Sequence, residues 1–403
     1  MRYIISILLV LIAFTACSKK EVVHYNKNEI KIIDNKKDNK VEDINTSMKN
    51  VIDINTSNYD LNNTNLDINT SNDINLTVDN NLSLDTNLTS IELLDTNNST
   101  VAIIYSSKRI GKYSIKVSDV ILAYSSTIED NFEYKFYDIE NENNESITNV
   151  FNSLKEDEIK NVIFYLTPNS LSNLYEYSEL DNFNIYLPLI NIKKANEDEH
   201  KYLIFGAIDY EKQLNSLISI ANSHIIEVYD EKRKNLRLHS MLENNESITS
   251  YQLKGRYPNY KSFIRQHRQI KNSSLILNLD IVKSSIFMSQ ISANDRIYVK
   301  QILTTQNNYS PLLFVLTQQK DRTKFIVASS INETNERLYS INKLLGNDIR
   351  YDWVNYSTVV GLELLKTKKT LLFDNVEVMN NQVHYPSILY KTNKNSFVPY
   401  VNK

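Results

Sequence analysis

Beyond residue 100, apolar positions fall into short, nearly continuous runs separated by stretches with helical spacing. Thr-Val-Ala-Ile-Ile-Tyr at 100–105 reads as a strand, and Ile115, Val120, Ile121 and Tyr124 recur at helical intervals within 111–128. The alternation continues with strand 132–138, helix 146–159, strand 161–166, and strands 184–190 and 202–208. A second round gives helix 210–222, strand 224–229, helix 231–242, strand 248–253 and helix 260–270. Strand 274–279, helix 281–292, strands 297–304 and 324–329, and helices 334–345 and 353–365 follow. The tail, 376–400, reads as two or three strands in a hairpin.

Strands that are apolar on both faces and separated by helices imply parallel sheets covered on both sides. The fold class expected is α/β, doubly wound, with two lobes because the strands outnumber what one open sheet needs.

Residues 17–99 have another character. Asn, Asp, Thr and Ser dominate, and Asp-Ile-Asn-Thr-Ser occurs at 43–47, 53–57 and 67–71. Isolated Ile and Leu there keep no period. Such a segment buries too little apolar surface to offset its ordering entropy, so a disordered, low-complexity tether is expected. As a flexible coil it would span about 50 Å root-mean-square. From 50 to 99 it carries eight acidic residues and no Lys or Arg. Residues 100–403 hold 36 basic and 34 acidic residues, a near-neutral balance that gives no reason to expect nucleic acid as a partner.

The first residues have the parts of a secretory signal: Arg2, an apolar run from Tyr3 to Phe14, then Thr15-Ala16-Cys17. About 14 apolar residues fall short of the roughly 20 that a spanning helix needs. Cys17 is the only cysteine in the chain, which leaves no disulfide to stabilise a fold. The segment resembles a bacterial lipoprotein signal, although Phe14 stands where that family usually has an aliphatic residue. The resemblance implies a signal peptide at 1–16 and acylation of Cys17. Membrane attachment would then run through that lipid. Ser18 rather than Asp after the cysteine is compatible with the outer membrane, facing the periplasm.

A second resemblance rests on strand 1 followed by Ser-Ser-Lys-Arg-Ile-Gly-Lys-Tyr, on Tyr137-Asp138, and on Tyr165-Leu166-Thr167-Pro168. Tyr202-Leu203-Ile204-Phe205-Gly206-Ala207-Ile208, Tyr351-Asp352-Trp353-Val354-Asn355-Tyr356 and Tyr390…Phe397-Val398-Pro399 extend it. In layout these resemble type I periplasmic binding proteins. The resemblance implies lobe 1 at about 100–209 and 330–375, and lobe 2 at about 210–329 and 376–403.

Catalytic signatures are absent from the sequence. The five glycines are isolated, which excludes a dinucleotide fingerprint, a phosphate-binding loop and a nucleophile elbow. Six histidines are scattered without zinc spacing. No enzyme activity, cofactor or metal is therefore expected. His239 and His267 read as solvated, as does the basic cluster Arg256, Lys261, Arg265, Arg268 and Lys271 around Tyr257 and Tyr260. Most tyrosines read as core or half-buried packing, with hydroxyls reaching the surface. Asparagine abundance reads as compositional bias.

In open α/β sheets, ligands sit beyond the carboxyl ends of the strands. That rule nominates Ser106, Ser107, Thr167, Asn169, Ser170, Asn191, Lys193 and Lys194 in lobe 1, and Tyr229, Asp230 and Asp280 in lobe 2. Amino-acid-binding members of the resembled family would hold a carboxylate with hydroxyls after the third and fourth strands. Here no Ser or Thr occurs from 179 to 215. The layout resembles outer-membrane lipoproteins that activate penicillin-binding proteins, implying an envelope protein or cell-wall partner. A solute receptor for a small molecule is the alternative.

Overall fold

The computed structural model describes residues 22–26, 29–33, 100–111, 113–129, 132–195 and 202–401. The expected signal, Cys17 and most of the expected tether lie outside them. Within the tether's span, Val22–Asn26 and Glu29–Ile33 pair as an antiparallel hairpin, consistent with their β-branched content.

Lobe 1 begins with β1 (Thr100–Tyr105), α1 (Tyr113–Ile128), β2 (Glu133–Asp138) and α2 (Asn144–Glu156). It continues with β3 (Asn161–Phe164), α3 (Leu171–Tyr175), β4 (Asn184–Leu187) and β5 (Leu203–Phe205). The strand order is β2-β1-β3-β4-β5, with β1, β3, β4 and β5 paired in parallel. α2 turns Ile147, Val150, Phe151 and Leu154 inward at helical spacing. Phe151 meets Phe183 edge-on at 5.0 Å. Each such side chain contributes about 1.5–3 kcal/mol on burial.

Lobe 2 repeats the scheme. It contains α4 (Tyr210–Ser219), β6 (Ile225–Tyr229), α5 (Arg233–Ser240), β7 (Ile248–Gln252) and α6 (Tyr260–Gln266). β8 (Ser274–Asn278), α7 (Ile281–Ser292), β9 (Gln301–Thr304), α8 (Leu312–Leu316) and β10 (Phe325–Ser329) complete it. The order is β7-β6-β8-β9-β10, all parallel. Both lobes are thus doubly wound, each with a switch point between its first and third strands.

The chain then returns to lobe 1 with α9 (Glu336–Leu344) and α10 (Trp353–Thr367). The tail corrects the sequence reading. Instead of one hairpin in lobe 2 there are two, one in each sheet. β11 (Glu377–Met379) and β12 (Gln382–His384) extend lobe 1's sheet beside β5, so this part of 376–403 does not belong to lobe 2. β13 (Ile388–Thr392) and β14 (Phe397–Pro399) close lobe 2's sheet beside β10. The first turn is Asn380-Asn381, both at positive φ, the conformation a tight two-residue hairpin requires.

Two of the three crossings between the sheets, at Gly206 and Tyr385, meet around Tyr186 of β4. Its buried hydroxyl bonds Ser357 Oγ at 2.8 Å and the Tyr385 hydroxyl at 3.1 Å. Ser357 and Tyr385 also donate to the Gly206 carbonyl, at 3.1 and 3.0 Å. Burial pushes the Tyr186 hydroxyl up to about 12. Tyr186, Tyr165 and Tyr385 are core tyrosines whose hydroxyls find internal partners instead of reaching the surface.

Asparagine is also more than compositional bias here. The side chains of Asn143, Asn259 and Asn335 cap α2, α6 and α9, and Asp209, Asp280 and Asp352 cap α4, α7 and α10. No helix among the described residues is long and apolar enough to cross a membrane.

Candidate functional site

The switch point of lobe 1 lies between the ends of β1 and β3, where Ser106 and Thr167 stand. The loop after β2 sends Glu142 into it. Glu142 is 3% exposed; its carboxylate accepts the Thr167 amide N–H at 3.1 Å and also the Thr167 hydroxyl. Asn173 fixes the same loop by donating to the Glu142 carbonyl at 2.6 Å. Ser170 Oγ lies 3.4 Å from Thr167 Oγ1 and is itself buried. Ser106 donates to the Glu140 carbonyl at 3.3 Å, and the Ser107 amide donates to Asp138 at 2.9 Å. Asn169 remains exposed. The structure therefore brings Ser106, Thr167 and Ser170 to one place, and the chain's own carboxylate fills it.

Lobe 2 is closed by charge. Asp230, fully buried at the end of β6, accepts from the Lys232 amide at 3.0 Å and Asn235 Nδ2 at 2.7 Å. Lys283 Nζ completes the set at 2.7 Å. Asp280, after β8, caps α7 through the Lys283 amide and pairs with Lys232 Nζ at 2.6 Å. Burial alone would raise the Asp280 carboxyl; the Lys232 ammonium and the Lys283 amide outweigh it and hold it below the usual value. Tyr229 turns aside and stacks on His239, with ring centres 3.7 Å apart. Glu142, Lys232 and Lys283 were not nominated from sequence, and no motif marks them.

Both histidines expected to be solvated are packed instead. His239 Nδ1 lies 2.8 Å from the buried Glu227 carboxylate, which also accepts from Ser250 at 2.7 Å and Asn278 at 2.7 Å. Ser250 and His239 share one carboxylate oxygen rather than bonding each other, so no serine is activated. His267 sits against Tyr251 and Phe263, with centroids at 4.0 and 4.4 Å. Burial lowers its pKa from 6.5. The stability this site contributes is therefore present above 6.5 and lost as pH falls below it. Between about pH 7 and 5, the wild-type melting temperature is expected to fall more than that of His267→Phe.

An aromatic cluster ties the lobes together. Tyr351, in the loop before α10, lies 4.9 Å from Tyr309 after β9 and 6.0 Å from Phe397 of β14. Tyr309 also stacks on Tyr390 at 5.0 Å. Each such pair is worth about 0.5–1.5 kcal/mol beyond its buried area. A cavity of about 200 Å³ lies at the crossings, beside the carboxyl ends of β4 and β10, lined by Asn191, Lys193, Asp209, Lys212, Ser330 and Tyr385 among others. Its charges are engaged: Lys193 bonds Asp209 and Glu211, and Lys212 donates to the Tyr385 carbonyl at 2.9 Å. Among the described residues no cluster could hold a metal ion.

The near-neutral total conceals a polarity. With the boundaries the sheets impose, 100–209 and 330–384 carry 16 basic and 25 acidic residues, whereas 210–329 and 385–403 carry 20 and 9.

No family model matches the chain, and neither does any curated protein. Solved structures do. LpoA of Haemophilus influenzae aligns at 9% identity and a TM-score of 0.55 over 77% of this chain and 60% of that one. Its C-domain, described as a regulator of PBP1A, aligns at 9% identity and 0.52 over 75% of this chain and 100% of that one. A putative branched-chain amino acid ABC transporter protein from Rhodospirillum rubrum aligns at 8% and 0.57, covering 75% and 99%. This chain thus matches 60% of the length of full-length LpoA. These likenesses establish the fold, that of the type I periplasmic binding proteins.

Proposed function

We propose that this chain, on a type I periplasmic-binding-protein fold, is a lipid-anchored, non-enzymatic envelope protein that binds a protein or cell-wall partner. One observation carries the choice. At the switch points of both sheets, where such sheets take small ligands, the chain's own groups fill the space, Glu142 in lobe 1 and the Asp230–Lys283 pair in lobe 2. The aromatic contact through Tyr351 also opposes the hinge motion by which a solute receptor closes. The likeness to LpoA supports a role in regulating a wall-building enzyme. Acylation of Cys17, outer-membrane placement and the long tether belong to this proposal and set where the domain can reach.

The solute-receptor reading draws on the transporter proteins of the same fold and on the small cavity at the crossings. At about 200 Å³ that cavity is below the roughly 300–1,000 Å³ of ordinary ligand pockets.

Crosslinking in intact cells tests the proposal. It is expected to join surface residues of 100–403 to a specific envelope component. A small molecule that raises the melting temperature by several degrees, with no crosslinked partner, would sink it. A second expectation concerns the filled seat. Glu142→Ala should cost about 1–3 kcal/mol by leaving the Thr167 donors unmet. Acetate at millimolar concentration should restore part of that loss in the variant and leave the wild type unchanged, as read by thermal melting.

A further inference from the structure

The most basic stretch of lobe 2 is unused by either reading of the cleft. From 247 to 279 there are six cations, Lys254, Arg256, Lys261, Arg265, Arg268 and Lys271, and no Asp or Glu. All six are exposed. None makes an ion pair among the described residues. Lys261 and Arg265, four apart, share one face of α6, and Arg268 opens the short turn after it. The opposite face is anchored by Ile264 and Ile270, 3% and 1% exposed. The short helix and its following turn thus bury Ile264 and Ile270 and expose three cations, with Gln266 and Gln269 among them. It flanks β7, the edge strand of its sheet.

At the amino end, the turn through Gly255 presents Arg256 beside Tyr257, which is 86% exposed. Lys283 helps fix this turn, reaching the Gly255 carbonyl at 3.5 Å. Tyr257 is the only large apolar or aromatic side chain exposed within 247–279. A protein interface draws its energy from an apolar core inside a polar rim, and such a core is missing here. Six exposed cations with no acidic residue in the stretch, and one exposed aromatic among them, fit a surface of dense negative charge.

We propose that this face of lobe 2 docks on an anionic phospholipid surface through lipid phosphates. Arg256, Arg265 and Arg268 supply planar donors matched to phosphate oxygens, and Lys261 and Lys271 add point charges. Docking would orient the domain on a membrane independently of any acyl anchor. It does not depend on what the cleft binds.

The chain from Ser18 to Lys403, which lacks the acylated cysteine, is to be sedimented with vesicles of phosphatidylglycerol and phosphatidylcholine, and with phosphatidylcholine alone. Binding is expected only to the anionic vesicles, and it should weaken as salt shortens the screening length. Each cation near such a surface is worth about fivefold in affinity. The variant with Arg256, Lys261, Arg265, Arg268 and Lys271 all changed to Gln should lose about a hundredfold or more, at an unchanged melting temperature. Arg265→Glu alone, a milder change on the exposed face that shifts the charge by two, should lose about 25-fold. Absence of wild-type binding, or equal binding by wild type and Arg265→Glu, overturns the proposal. So does binding to polyglutamate without binding to vesicles, which would assign the face to an acidic polypeptide.

Discussion

Lys283→Met is expected to destabilise the domain by about 3–5 kcal/mol, the cost of leaving a buried charge without its partner. Asp230 is fully buried, and among the described residues the Lys283 ammonium at 2.7 Å is the only cation bonded to its carboxylate. The remaining donors, the Lys232 amide and Asn235 Nδ2, are neutral and cannot balance a full charge. Methionine preserves most of the lysine stem, so packing changes little. Urea unfolding should show the loss as a lower midpoint with an unchanged slope. The double variant Asp230→Asn with Lys283→Met should recover most of it, because the uncompensated charge is gone. A loss below about 1 kcal/mol in the single variant would mean that Lys283 is not what balances the Asp230 carboxylate.

Gly361→Ala should cost about 3 kcal/mol, the upper end for overpacking a closed core. A Cβ at Gly361 would overlap the Tyr186 ring, and a Cβ at Gly206 would overlap the same ring near its hydroxyl. The ring is held between two glycines, and its hydroxyl is tied to Ser357 and Tyr385, so it cannot step aside. Both sides of the clash belong to the region where the crossings meet. Thermal unfolding of Gly361→Ala, Tyr186→Leu and the double variant checks this. The two changes should be coupled by about 2 kcal/mol in favour of the pair. Simple additivity would show that the ring relaxes elsewhere.

Runs such as Thr-Val-Ala-Ile-Ile-Tyr in β1 and Phe-Ile-Val-Ala-Ser in β10 announced buried parallel strands, and their alternation with helices announced two doubly wound sheets. What sequence could not show is who meets whom across loops. Glu142 reaches Thr167 25 residues on, and Lys283 reaches Asp230 from 53 residues away. Neither spacing is periodic, so neither leaves a pattern. The tail was misplaced for a related reason: β11 and β12 are too short for apolar alternation to say which sheet they join. The double Asn at 380–381 was the available signal for their hairpin. Charge misled by averaging, because an acidic lobe and a basic lobe cancel in the total.

The central claim is that the cleft is filled from within and leaves recognition to the outer surface. Thermal melting of the 18–403 chain against amino acids, aromatic acids and other small carboxylates tests it most directly. No compound should move the wild-type midpoint, while Glu142→Ala should respond to small carboxylates. A compound that raises the wild-type midpoint by several degrees, and loses that effect in Thr167→Val, would contradict the account.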